Sequence, residues 1–473
     1  MTESTRMLLG LAIGIILMIV LVMKTKVHTF IALLIASIVT ALIGGMSPAD
    51  ITLADGTVQK GIITAVQEGF GNTLKSTGII IGLGVMMGGI LEKSGAAEKL
   101  AYTFIKAVGK RKEEWALGIT GWFISIPVFA DSAIVIFAPL CKAISRVTGK
   151  SLIGLALAMA AGLQLTHCLV PPTPGPTTAA SMLGVDVGQM IMLGAAISVP
   201  MLIAAVFHCK WIGKKIYQIP LDNGGFERKE FKEEYIKSME ELDKVLGEKQ
   251  LPSLWASMAP IVVPLVLILT NTVMGFAGIK EGTSYQIMSL LGSPIVALGI
   301  GTLLAIYGLA AKDPVKDVLD IMNVAIKDTG IIMLITGAGG SLGNVIKVSG
   351  IGDALGELVL AWPIPAILIP FIIAALMRIA LGSATVAITT AASLAAPLAA
   401  SLGLNPLLLA QACCVGAISF SYFNDSGFWV FNGMFGLTEL KDQVRCKTAI
   451  SLLMAGIGII ELLILQIIFL KFP

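Results

Sequence analysis

Apolar residues run through this chain in blocks of the length a bilayer demands, about 18 to 20 residues per helical crossing. The clearest blocks are 7–23, 28–45, 77–91, 151–170, 187–207, 257–278, 286–310 and 448–470. Counting such windows predicts roughly ten to fourteen membrane segments. Two further stretches are too long for one crossing and too interrupted for a clean one. Residues 115–140 carry Asp131 deep in an apolar run, and 363–400 carry Arg378 and the pair Gly382-Ser383. Both predict re-entrant hairpins, whose irregular tips persist only when buried in protein or lining a cavity. The pattern lapses over 208–252, which holds nine basic and nine acidic residues. That stretch reads as a solvated, cytoplasmic linker with helical spacing over 226–247, joining a first membrane half, 1–207, to a second, 253–473.

Composition sharpens the class. Apolar residues make up 56% of the chain and charged residues 13%, against about a quarter charged in a soluble domain. Of the 63 charges, 18 fall between Lys210 and Lys249, so the rest of the chain is poorer still. An all-α polytopic membrane protein surrounded by lipid fits; a soluble enzyme, a disordered chain and a nucleic-acid binder do not. The net charge of +3 is too small to imply an acidic partner. Cys141, Cys168, Cys209, Cys413, Cys414 and Cys446 lie in or beside apolar segments without ligand-like pairing and read as small buried side chains. No cluster has metal-ligand spacing, and no P-loop is present, so neither a metal nor another cofactor is expected and ATP-driven transport by this chain alone is excluded. A second span follows 7–23 directly, which marks the first as a retained helix rather than a removable signal. Charged loops at Lys106–Glu114 and Lys142–Lys150 point weakly to cytoplasmic faces.

A weak internal repeat carries more information. Thr77-Gly-Ile-Ile recurs as Thr329-Gly-Ile-Ile, 252 residues on, and Ser132-Ala-Ile-Val as Ser383-Ala-Thr-Val, 251 on. Gly175 stands opposite Gly427, again 252 on. Three ordered matches at nearly one offset, with the charged linker between the copies, are the pattern of secondary transporters built from repeated halves.

The hydrophobic blocks are interrupted at corresponding places: Phe129-Ala-Asp-Ser-Ala and Val170-Pro-Pro-Thr-Pro-Gly-Pro in the first half, Gly382-Ser-Ala-Thr-Val and Phe423-Asn-Asp-Ser-Gly in the second. Four prolines within Pro171–Pro176 cannot sit inside a regular helix, since each removes an N–H and clashes with the preceding turn. Unwinding there exposes N–H groups at the start of the following half-helix, which suit an anionic group. The expected site therefore joins Thr173, Gly175 and Thr177 to Ser383, Thr385, Asn424 and Ser426, with Ser132 close by. Hydroxyls and amides at this density suit a polyol or hydroxy acid. The bland alternative for each is a helix cap. Asp425 and Asp131 are intramembrane carboxylates, hence candidates for proton coupling, Asp425 first. His167, one turn before the proline break, is a proton shuttle or a satisfied structural histidine. His28 and His208 read as interfacial, and Arg378 is expected to snorkel, although it could pair with a carboxylate. Gly339-Gly-Ser-Leu-Gly matches a nucleophile elbow around Ser341, but no histidine follows it and close helix packing explains it better. A membrane-embedded serine hydrolase is thus the least favoured reading, and a cation/proton antiporter remains an alternative within transport.

At these motifs the chain resembles the gluconate permease family (gluconate:proton symporters) of the ion transporter superfamily. The pieces that carry the resemblance are Thr166-His167, Pro171-Pro-Thr-Pro-Gly-Pro-Thr177, Gly382-Ser-Ala-Thr-Val-Ala387 with Thr389-Thr-Ala-Ala, and Asn424-Asp-Ser-Gly-Phe-Trp429. It spans nearly the whole chain. It implies proton-coupled, or in an alternative sodium-coupled, import of gluconate or a related sugar acid across the bacterial inner membrane; D-serine or glycerate are alternatives. It also implies two inverted-topology repeats, a scaffold and a transport domain with elevator-type motion, and a homodimer. The family pattern carries His at the positions of Thr173 and Tyr422 and often Glu at Asp131. These departures point to a changed hydrogen-bonding arrangement at the site.

Overall fold

Helix breaks organise this chain as much as helices do. The computed structural model describes residues 3–53, 55–108, 112–221, 225–233, 251–279, 281–350, 364–422 and 425–471, apart from the side chains at 3, 4, 23, 76, 77, 101, 102, 105, 132, 136, 139, 276, 328, 329, 332, 400, 401, 426 and 469–471. The first half opens with α1 (Glu3–Lys24) and α2 (Thr29–Gly44), which pack together, followed by α3 (Ile62–Lys93) and α4 (Ala96–Val108). His28 begins α2 as its N-cap, its Nδ1 accepting from the Phe30 N–H at 3.3 Å. Then come α5 (Glu113–Ile124), α6 (Ala130–Thr148), α7 (Leu152–Leu169), α8 (Pro174–Met182) and α9 (Val187–Lys215). The second half holds α10 (Leu254–Phe276), α11 (Thr283–Leu291), α12 (Pro294–Leu309), α13 (Val315–Val348), α14 (Leu368–Leu381), α15 (Ala384–Ala395), α16 (Pro406–Ile418), α17 (Ser426–Met434) and α18 (Ala449–Lys471). Helix α17 lies 252 residues on from α8 at both ends, the offset of the sequence matches.

Length and apolarity qualify five helices as full crossings among the described residues, or seven if each bent pair is one span; four shorter apolar helices remain. This is fewer complete crossings than window counting predicts, because several apolar runs are half-length helices meeting at a break. The predicted span 286–310 is one of them: it divides at Gly292-Ser293, and its two parts bend by 63°. The two interrupted stretches divide likewise, at Ser125–Phe129 between α5 and α6 and at Gly382-Ser383 between α14 and α15. Most extensive of all the contacts is that of α3 with α13. There Gly340 permits the close approach, since a Cβ on it would stand 2.6 Å from the Gly69 carbonyl oxygen. The glycines of the G-x-S-x-G match, Gly339 and Gly343, pack instead on α15, where a Cβ would stand 2.9 Å from Thr389 Cγ2 and 3.0 Å from the Ser393 carbonyl oxygen. Ser341 is fully buried and donates to the Val66 carbonyl at 2.9 Å. All six cysteines are buried free thiols.

The charged stretch differs from a plain solvated linker. Its first two turns continue α9 to Lys215, and a short antiparallel hairpin follows, β3 (Gln218–Pro220) with β4 (Phe226–Arg228), the counterpart of a smaller pair between α2 and α3, β1 (Ile51–Thr52) with β2 (Val58–Gln59). This hairpin docks on the second half. Gln218 Nε2 donates to the Phe435 carbonyl at 2.7 Å, and Arg228 pairs with Asp442 at 2.5 Å. Charge density there thus serves partly as counter-ion for a polar hairpin, and 234–250 lie outside the described residues.

Candidate functional site

Three of the breaks aim helix N-termini at one place. Pro127, lacking an N–H, stands in the break before α6, and the Ser125 hydroxyl donates to the Val128 carbonyl at 2.9 Å. Gly382, at φ 78°, ends α14, and Ser383 then caps α15 by accepting from the Val386 N–H at 3.4 Å. Asp425 caps α17 through the Gly427 N–H at 3.0 Å. Upstream of Asp425, Phe420 holds a left-handed φ of 52°, a conformation that non-glycine residues adopt at a cost and that clusters at functional sites.

Around these ends lies a cavity of about 280 Å³. Its lining includes Asp131 of α6, Gln164 and His167 of α7, Arg378 of α14, Ser383 and Thr385 at the start of α15, Asp425 and Gly427 at α17, and Lys447. The Thr385 hydroxyl lies 3.4 Å from His167 Nε2, while His167 Nδ1 is buried without a partner. Gly427 makes room for Asp131: a Cβ there would come within 2.5 Å of Asp131 Oδ1, and the carboxylate would have to shift. The carboxylate of Asp131 thus sits over the N-terminal turn of α17, where helix dipole and free N–H groups favour negative charge.

Arg378 departs from expectation. It does not snorkel but is 2% exposed and pairs with Asp425, Nη2 to Oδ2, at 2.5 Å. Its Nη1 donates to the Gly382 carbonyl, and Ser421 Oγ donates to the same Asp425 oxygen. The physical reason is the break at Gly382: α14 ends inside the protein rather than at an interface, so its last turn offers a buried carboxylate instead of headgroups. Both oxygens of Asp425 are thereby engaged, by Arg378 and Ser421 on one side and the Gly427 N–H on the other.

Asp131, His167, Ser383, Thr385 and Asp425 therefore meet at one cavity. Thr173, Gly175 and Thr177 do not line it. The Thr173 hydroxyl donates to the carbonyls of His167 and Val170, at 2.9 and 2.8 Å, closing the frayed end of α7. Thr177 donates to the Thr173 carbonyl at 2.7 Å, and Gly175 packs under Ile388 of α15. Asn424 lies outside the described residues, as do the side chains of Ser132 and Ser426. Sequence reasoning missed Gln164 and Lys447. Lys447 sits in a π-helical turn, Val444–Thr448, 4% exposed, with Nζ 3.3 Å from Gln164 Oε1 and 5.8 Å from the Phe431 ring centre. Its signal was a lysine flanking the apolar run 448–470, the usual mark of a membrane boundary rather than of a site.

Two carboxylates and two cations, three helix N-termini and exposed hydroxyls make a polar chamber suited to a small hydroxylated anion. Residues 6–468 match the family described as GntP family permease. The chain is similar to an uncharacterized permease of Haemophilus influenzae, 43% identical over 98% of this chain and 92% of that one. A gluconate permease of Pseudomonas aeruginosa is 32% identical, covering 99% of each. In fold it is similar to the Alcanivorax borkumensis YdaH transporter, with a TM-score of 0.64 at 13% identity, over 94% of this chain and 98% of that structure.

Proposed function

The chain belongs to the GntP permease family, a family of transporters rather than enzymes, and on that premise we propose that it imports a sugar acid such as gluconate by proton symport. It is a bacterial membrane protein with several apolar helices. The observation that carries the finer reading is the cavity at the broken helices, where Asp131 stands beside an already paired Arg378 and Asp425. Among the lining residues carboxylates and cations balance, Asp131 and Asp425 against Arg378 and Lys447. An entering monoanion adds one negative charge, and one proton cancels it, which links the two binding events. We assign that proton to Asp131 rather than Asp425. Protonating Asp425 would strand the buried guanidinium of Arg378, at a cost of several kcal/mol or about 3–5.

Of the three positions that depart from the family pattern, two do not line the chamber. Thr173 serves backbone carbonyls, and the Tyr422 hydroxyl donates to the Ile379 carbonyl at 3.2 Å. Only Asp131 lines the chamber, and the hydroxyls of Ser383 and Thr385 beside it favour a polyhydroxylated sugar acid ahead of D-serine or glycerate. Inverted repeats moving as an elevator, in a homodimer, complete the proposal; for the repetition, the 252-residue offset between α8 and α17 gives support. Uptake of radiolabelled gluconate into proteoliposomes under an imposed pH gradient tests the function. The expected result is accumulation abolished by uncoupler and indifferent to sodium; Asp131→Asn should lose accumulation yet retain gluconate exchange. Accumulation unaffected by the pH gradient would rule out proton coupling.

A further inference from the structure

Resting on the reading of this chamber as a carboxylate site, we propose that Lys447 binds the substrate's carboxylate group. The ammonium is buried at the cavity wall, and its polar contact is with a neutral acceptor, Gln164 Oε1 at 3.3 Å. An ammonium carries three donors, and no carboxylate of the described residues lies within ion-pair distance of Lys447. A buried charge so poorly matched is costly unless an opposite charge joins it. The partner that comes and goes in this chamber is the substrate.

The other cation cannot play that part. Arg378 is committed to Asp425 and the Gly382 carbonyl, and its Nε is sealed in the protein without a partner. Lys447 by contrast presents a compact charge with freely rotating donors, which suits a carboxylate approached from several angles. Its position follows from the π-turn at Val444–Thr448; the extra residue in such a turn re-aims side chains, and π-turns recur at functional sites. Gln164 fixes it from the other side, since its Nε2 is already spent on the Ile418 carbonyl at 3.2 Å and only Oε1 faces the lysine. The substrate then lies with its carboxylate toward Lys447 and its hydroxyls toward Ser383 and Thr385.

The test compares binding of gluconate and of the neutral polyol sorbitol to purified protein, with uptake measured alongside. Lys447→Gln keeps a donor for Gln164 while removing the charge, and Lys447→Met removes both. Each should weaken gluconate binding by at least about 30-fold and leave the weak sorbitol binding within threefold, whereas Lys447→Arg should keep most of the preference for gluconate. A role confined to holding Gln164 would instead be rescued by Lys447→Gln, which would overturn the assignment. In wild-type protein whose Lys447 takes up a small amine-reactive reagent without substrate, saturating gluconate should slow that labelling, read by mass spectrometry; unchanged labelling there would also overturn it, whether or not the variants fold. Wild-type protein that neither binds nor transports any small carboxylate removes the functional reading itself. Wild-type protein that does, beside a Lys447→Gln variant of unchanged affinity, removes only the role of Lys447.

Discussion

At the residue scale, the chamber depends on one missing methyl group as much as on its charges. Asp131 reaches the first turn of α17 because Gly427 has no side chain, and a Cβ there would sit 2.5 Å from Oδ1. Gly427→Ala should therefore displace the carboxylate without unfolding α17, which Asp425 caps. We expect the maximal uptake rate to fall roughly tenfold to a hundredfold, the scale of a misplacement of about an ångström, with membrane abundance unchanged on immunoblots. Normal rates in that variant would show that the position of Asp131 is irrelevant to transport. Which residues were legible in the sequence follows from what sequence reports. Asp131, Asp425, Ser383 and His167 interrupt apolar runs, and an interruption in a hydrophobic block is visible along one strand of text. Lys447 was not legible, because it sits at the start of an apolar run where a snorkelling cation is the ordinary case, and for Arg378, which interrupts a run, pairing with a carboxylate stood only as the alternative to snorkelling. Only the helices packed around them make both positions interior.

At the scale of the element, the breaks are held by residues from across the molecule. Unwinding α7 frees the Leu169 carbonyl, and Gln411 of α16 donates to it at 3.2 Å, and to the Met190 carbonyl at the same distance. Unwinding α16 frees the Ile418 carbonyl, which Gln164 of α7 satisfies at 3.2 Å. Buried carbonyls left without a donor cost about 1–3 kcal/mol each. Gln411→Leu should accordingly destabilise the purified protein, although loss of the unpartnered Gln411 Oε1 offsets part of the effect. Differential scanning fluorimetry should show a midpoint lower by a few degrees; a midpoint equal to wild type would mean that the Leu169 carbonyl needs no protein donor. The breaks themselves were predictable from proline, glycine and Asn-Asp placement, because those residues act on their own backbone. The β3–β4 hairpin was not: in a stretch with nine charges of each sign, helical spacing is easily met by chance, and the hairpin exists because Gln218 and Arg228 find partners at Phe435 and Asp442.

At the scale of the whole molecule, the first and second halves of the chain meet along α3 with α13, across the chamber, and through the docked hairpin. Neither half should persist alone in the membrane. Fragments 1–233 and 251–473 expressed separately are expected to be degraded, and expressed together to restore gluconate uptake; a stable single fragment on immunoblots would contradict this. The reciprocal glutamines give that dependence a history. A carbonyl exposed on one side of the chain is answered by an amide encoded 242 or 254 positions away, as in Leu169 with Gln411 and Gln164 with Ile418. Whatever their origin, two stretches tied in this way cannot drift apart freely. A substitution that reshapes one break selects for a matching change in the opposite gene segment, so recombination that exchanges a single half between diverged relatives should yield fewer working chimaeras than exchange of both.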